Sequence, residues 1–393
     1  MILPPLSGLD HLAIGAIAGP QLVLRAGLLR TILGVLKIVF LLAPSTTLRF
    51  IWTRYLTSKR NQPLFVQQAT AQEDFSIRML GALASNLSLP LLRAPVDRAP
   101  AAQILRWRAY NHGYNYHDHL EEKTLEEGPV RADVIWITHD KKAKPDIVVY
   151  YVHGGGHVVL SAKFYVEFLL GLKTTLLEAG FKNPAILTLE YTLAPDKKYP
   201  YQLHEALLGY KEALKLAGGH AKLVLGGDSA GGMMTLTVLQ ELAARKQRGE
   251  GLRAPDLALL VSPWVTLTTH LHKSTSVDYI QPEMLERFAE LYTGGSMLHQ
   301  APCSPGNCQD ESIWRDACPT KGYLVTYGED ECLVHDIRQF IKHQAMNGAP
   351  VKTLVDRGGV HVWPVVSMHV SGTNERRLQG LRAIANEIST ILE

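Results

Sequence analysis

Lys222-Leu223-Val224-Leu225-Gly226-Gly227-Asp228-Ser229-Ala230-Gly231-Gly232 holds a serine between glycines, with a strand-like run before it and a helix-like run after it. Lys222 to Leu225 is the apolar entry, and Gly232 to Arg245 leaves with helical spacing. A turn joining a strand to a helix this tightly has no room for side chains beside the serine, so glycines flank it. Working outward, Asp146 to Val152 (DIVVYYV) is a run of β-branched and aromatic residues that reads as a buried strand. Pro184 to Tyr191, Leu257 to Val265, Gly322 to Tyr327 and Val351 to Val355 read as further strands, and Phe164 to Ala179 and Tyr201 to Leu216 as helices. The alternation begins near Asp133 and predicts an α/β fold: a mostly parallel central sheet with helices on both faces.

Composition narrows the class. The 393 residues are 46% hydrophobic and 20% charged, which supplies a large core and excludes a disordered chain. A net charge of +3 spread over 40 basic and 37 acidic residues, with no long Lys/Arg block, argues against a nucleic-acid partner. Cys303, Cys308, Cys318 and Cys332 match no zinc spacing, so no metal is expected and free thiols are favoured over a Cys303 to Cys308 bridge.

Two regions stand apart. Residues 1–100 form an N-terminal apolar, helical region ahead of a catalytic domain over 101–393, which carries a cap insertion at 267–320. Leu12 to Leu48 is mostly apolar, but Arg25, Arg30 and Lys37 interrupt it, and a spanning helix needs about 20 nearly uncharged residues. Two readings stay open: a helix lying on a membrane surface, which makes peripheral membrane contact, and an appendage packed on the catalytic domain. Without the early positive charge of a secretory signal, the expected location is intracellular, either cytoplasmic or at the endoplasmic-reticulum membrane. Within the insertion, Met284, Leu285, Phe288, Leu291 and Tyr292 recur at helical spacing between Pro282 and Gly294, and predict a lid helix.

The chemistry lies in three places. Gly227 to Gly231 fits G-x-S-x-G in its required strand-to-helix context, so Ser229 is the candidate nucleophile. His153-Gly154-Gly155-Gly156 follows its own strand, and successive glycines let backbone N–H groups converge on one point. With the N–H of Ala230 they form a candidate oxyanion hole, while His153 braces the loop. A serine hydroxyl needs a base and an orienting carboxylate, and in this fold they follow the serine as acid, then histidine. Glu329, Asp330 and Glu331 cluster after one strand, and His361 follows the next. His361 is therefore the expected base, with a pKa near 6.5 if its surroundings are unexceptional.

These motifs resemble the hormone-sensitive-lipase branch of the α/β-hydrolases, and within it the fungal steryl-acetyl-hydrolase-like members. The resemblance rests on His153 to Gly156, Gly227 to Gly232, Tyr191-Thr192-Leu193-Ala194-Pro195 with Tyr199-Pro200, and Ser262-Pro263-Trp264. It covers roughly Asp146 to the C-terminus. It implies an oxyanion hole from Gly155, Gly156 and Ala230, and a cap from the N-terminal region and the insertion. Its members often read D-x-L at the acid where this chain has Glu331-Cys332-Leu333. Register therefore points to Glu331, with Asp330 as the alternative.

The expected activity is hydrolysis of an acetyl or short-to-medium acyl ester of a hydrophobic alcohol, such as a sterol or secondary metabolite, with no cofactor. Acyl transfer, lactonisation or cyclisation in a biosynthetic pathway is the alternative, and a binding protein that has lost its chemistry is a third reading. Oligomeric state is not legible.

Overall fold

The computed structural model describes residues 2–115 and 119–393. Its strands are β1 (Leu120–Glu127), β2 (Val130–Thr138), β3 (Ile147–Val152), β4 (Pro184–Glu190), β5 (Lys222–Asp228), β6 (Leu257–Val261), β7 (Tyr323–Gly328) and β8 (Val351–Asp356). They form one sheet in the order β1-β2-β4-β3-β5-β6-β7-β8. Pairing is antiparallel from β1 through β2 to β4 and parallel across the rest. Every residue of β3 is buried, as a strand covered on both faces requires. Helix Ala162–Glu178 packs against Asn374–Leu392, and Tyr201–Ala217 against Ala230–Gln247. This is the α/β-hydrolase fold.

The chain departs from the sequence expectation at the sheet edge and at one strand end. β1 is outermost and largely exposed, and its sequence (LEEKTLEE) carries charge where apolar alternation would have marked a strand. Charge on an edge strand discourages pairing with another chain, and the same charge hides the strand from a hydrophobicity reading. β6 stops at Val261 rather than Val265, because Ser262 turns to φ 43° and Pro263 follows.

The N-terminal helices form a layer of their own. Gly8–Ala26 starts with a capping box between Ser7 and Asp10. Leu28 to Leu56 then runs as a single helical rod, long and apolar enough to cross a membrane. Its inner face is narrow: Thr31, Gly34, Leu42 and Thr46 are buried, and a Cβ on Gly34 would sit 2.7 Å from Leu91 Cδ1. Three basic residues of this region turn toward protein, while Arg30 and Arg49 stay exposed. Arg25 pairs with Asp97, Lys37 donates to the Asn86 carbonyl at 2.8 Å, and Arg54 donates to the Val66 and Ala69 carbonyls and pairs with Asp74. Leu29, Leu33, Phe40, Leu41, Leu48 and Trp52 face outward.

The extreme N-terminus is tied to the helices that pack on the sheet. Arg377, almost wholly buried, reaches the Leu3 carbonyl and Glu167. Arg108 reaches Glu167 and, at 2.6 Å, the Pro4 carbonyl. Removing this segment would strip acceptors from two buried guanidinium groups, which is costly. The four cysteines are unpaired.

Candidate active site

β5 ends at Asp228, and helix Ala230–Gln247 begins directly after Ser229. Ser229 itself stands at φ 52°, a conformation side chains avoid, which is how the turn projects the hydroxyl. The turn tolerates nothing larger than glycine on either side. A Cβ on Gly231 would lie 2.0 Å from the Val152 carbonyl oxygen, and one on Gly227 would lie 2.5 Å from that same atom.

His361 lies after β8 and brings its Nε2 to 2.8 Å from Ser229 Oγ. Both side chains are nearly inaccessible, at 7% for Ser229 and 2% for His361. For the hydroxyl to donate to Nε2, the proton on the imidazole must sit on Nδ1. Nδ1 faces Glu331 Oε1 at 3.8 Å, an ion-pair separation longer than a hydrogen bond. Glu331 is fully buried, and its Oε2 accepts from Ser262 Oγ at 2.6 Å and from the Gly328 N–H at 3.0 Å. Burial alone would depress the His361 pKa, but Glu331, then Asp278 and Asp228, outweigh it and hold the imidazole above its ordinary value. The value near 6.5 expected from sequence applied to unexceptional surroundings, and these three carboxylates make the surroundings exceptional.

Asp330 is placed elsewhere. It is half-exposed, lines a surface cavity with Arg60 and Thr275, and contributes its backbone N–H to the Gly359 carbonyl. Nor does it cap the following helix Val334–Met346, whose start has no side-chain cap. Asp336, the further acid on that helix, instead accepts from the Thr266 N–H and hydroxyl, both at 2.9 Å.

Gly155 and Gly156 take φ 100° and 62°, open to glycine alone at such close quarters. The Gly154 N–H is committed to Asp228 Oδ1 at 3.1 Å. Among the described residues no protein acceptor takes the N–H groups of Gly155, Gly156 or Ala230. His153 does not reach the serine: Nδ1 bonds the Gly154 carbonyl at 2.8 Å, and the ring stacks on Tyr191 at 4.3 Å. Burial pushes its pKa down to about 4, which fits a neutral brace.

Asp228 is a positioning group that sequence reading missed. Its carboxylate accepts from Tyr151 at 3.0 Å, from Tyr165 at 2.7 Å and from Gly154, so one side chain joins the serine turn to the glycine loop. The signal was present in its place next to Ser229, but its partners come from β3 and helix Ala162–Glu178.

Helix Pro282–Thr293, ended by Gly294 in the left-handed conformation, covers the loop. A Cβ on Gly156 would lie 2.3 Å from Phe288, and Tyr292 stacks on His157 at 4.1 Å. Among the described residues no group of His, Cys, Asp and Glu is placed to hold a metal.

The model of a family described as steryl acetyl hydrolase matches residues 31–384. The chain belongs to the steryl acetyl hydrolase family. This family member is 25% identical over 257 residues to an acetyl-hydrolase of Streptomyces hygroscopicus, covering 63% of this chain and 80% of that one. It is 24% identical over 243 residues to steryl acetyl hydrolase 1 of Saccharomyces cerevisiae, covering 56% of this chain and 55% of the yeast protein. In three dimensions it matches a crystal structure of an esterase from the bacterial hormone-sensitive lipase family, with a TM-score of 0.61 and 24% identity over 83% of this chain and 99% of that one. The steryl acetyl hydrolase family member is thus a carboxylesterase- or lipase-like hydrolase of the α/β-hydrolase fold.

Proposed function

We propose that this protein removes an acetyl or other short acyl group from a hydrophobic alcohol through an acyl-enzyme on Ser229. The observation that carries the reading is the 2.8 Å contact between Ser229 Oγ and His361 Nε2, with the N–H groups of Gly155, Gly156 and Ala230 free of backbone acceptors among the described residues. Ser229 Oγ attacks the acyl carbon while its proton passes to His361 Nε2, and the N–H groups of Gly155, Gly156 and Ala230 hold the developing oxyanion. The intermediate collapses as His361 returns the proton to the departing alcohol. Water, deprotonated by His361, then releases the acid and restores the serine. Glu331 orients the imidazole and offsets its charge.

Phe288 supports the short acyl group, because it lies 2.3 Å from where a Cβ on Gly156 would stand and so leaves little room over the glycine loop. A panel of nitrophenyl esters beside acetylated sterols tests the reading. Acetyl and butyryl esters should be turned over at least about tenfold faster, by kcat/KM, than decanoyl esters, a difference of roughly 1.4 kcal/mol. Faster turnover of the long esters would overturn it.

The outward face of Leu28 to Leu56 supports a second element of this reading, contact with a membrane surface through which an apolar ester reaches the site. Lys37 and Arg54 turn toward protein, while the large apolar side chains lie outside beside the exposed Arg30 and Arg49, a mix of apolar and basic groups that suits a bilayer interface. While docked on the body the helix lies along a bilayer rather than through it. Replacing Leu33, Phe40 and Leu41 with glutamate is expected to abolish sedimentation with liposomes and leave turnover of a small soluble ester within about twofold, as for surface changes remote from a site. Unchanged sedimentation would exclude this face as the contact.

A further inference from the structure

Two loops carry the candidate acid and base, one after β7 and one after β8; their strands pair as far as Gly328 and Asp356, and the Asp330 N–H reaches the Gly359 carbonyl at 3.0 Å. Beyond that backbone link, a buried side chain from a third loop ties the residues beside the acid and at the histidine themselves. Asp278, in the segment between β6 and helix Pro282–Thr293, is 6% exposed. Its Oδ1 accepts from the His361 N–H at 3.1 Å and from the Tyr279 N–H at 2.9 Å, and its Oδ2 accepts from the Cys332 N–H at 2.7 Å. Cys332 is the neighbour of Glu331, so one carboxylate grips the backbone at the histidine and beside the acid.

We propose that Asp278 is a positioning residue that locks the Glu331 and His361 loops together and places a second buried negative charge beside the imidazole. The inference rests on the Ser229 hydrolase reading. A carboxylate suits the task better than any other side chain, because three N–H donors converge on it and both oxygens accept. An amide would offer one oxygen and turn its own N–H groups toward a backbone donor.

Ser262 makes a parallel bridge, donating to Glu331 Oε2 at 2.6 Å and accepting from the Val362 N–H at 2.9 Å. With Ser262 holding the acid itself, Asp278 controls where the two backbones lie. The charged groups that face His361 are Glu331 and Asp278 from these loops and Asp228 from the end of β5, and all three favour the imidazolium. Tyr279, whose ring lies 6.0 Å from the imidazole, closes the same side. Asp278 therefore acts on the proton-transfer step in two ways: it fixes the Nε2 position, and it stabilises the charge that forms on the ring.

The test compares Asp278→Asn and Asp278→Glu with the unaltered protein. kcat and KM for nitrophenyl acetate are measured across pH, and the active fraction is counted by fluorophosphonate titration. The acid limb of the unaltered protein should lie above about pH 6.5, since its imidazole is held above the ordinary histidine value. Asp278→Asn should move that limb to lower pH, because a removed negative charge makes the imidazolium easier to deprotonate. It should also lower kcat per labelled site roughly a hundredfold, the scale of a small misplacement of reacting groups, with KM within about threefold. Asp278→Glu should keep the limb in place and still lower kcat.

An asparagine variant with an unmoved acid limb, or one whose loss of kcat vanishes once divided by labelled sites, would overturn the proposal. If Asp278→Asn does not fold, the glutamate variant decides: full kcat per labelled site would overturn it, and reduced kcat with an unmoved limb would support it. Absence of labelling in the unaltered protein would instead remove the Ser229 reading on which the proposal stands.

Discussion

Ser229→Ala is expected to abolish fluorophosphonate labelling and to lower ester turnover by roughly a millionfold, leaving only the residual rate that binding and oxyanion donors supply. The size of the effect follows from the unit the side chain belongs to. Without the hydroxyl, His361 Nε2 has nothing to deprotonate at 2.8 Å, and the imidazole and Glu331 lose their function together. Folding should survive, because the change deletes one oxygen and leaves the backbone bonds of residue 229 to Val261, Trp264 and Met233 in place. A shift in thermal midpoint of more than a few degrees would point to a structural cause. Labelling that persists in the alanine variant would move the nucleophile elsewhere.

Glu331→Gln should be the next most damaging substitution, costing on the order of ten-thousandfold in turnover, while Asp330→Asn should stay within about twofold. In Glu331 the two oxygens have separate tasks. Oε2 takes the Ser262 hydroxyl and the Gly328 N–H, and Oε1 faces His361 Nδ1. A glutamine can keep its carbonyl oxygen in the first position, which turns its NH2 group toward the histidine. The imidazole would then favour the tautomer with its proton on Nε2 and could no longer accept from Ser229. Asp330 has no such connection, because its side chain sits in a surface cavity and its backbone serves the loop. Turnover measured on both variants at matched folded fractions decides between them, and the reverse order of severity would assign the acid to Asp330.

The fold could be read from the sequence because its central elements are local. β3 and β7 are short apolar runs, each followed closely by a turn, so composition alone marked them within a residue, while β5 runs three residues beyond its apolar entry, to Asp228. The serine turn was legible because G-x-S-x-G between a strand and a helix is a local pattern, although the atoms that exclude a side chain at Gly231 belong to Val152 and His153. The helix over the site could be placed because Pro282, the apolar spacing and Gly294 are all local signals. β1 was not legible, since an edge strand exposed along nearly its whole length carries no apolar periodicity.

Sequence alone therefore marked the strands, the serine turn and the glycine loop, each by a short local pattern of residues. Tertiary structure alone decided what surrounds them. The distance from Ser229 to His361 spans 132 positions, and which of two adjacent carboxylates turns inward depends on Ser262, some 69 positions away. Asp278 looked like any polar residue in a long insertion until folding closed it around three N–H donors. The direction of the N-terminal apolar face is also tertiary. Arg25, Lys37 and Arg54 are held by Asp97, Asn86 and the 66–74 segment in space, which leaves a largely apolar outer face that still carries the exposed Arg30 and Arg49. Local sterics are written in short stretches of chain, whereas the pairing of a buried charge depends on which distant segments meet it.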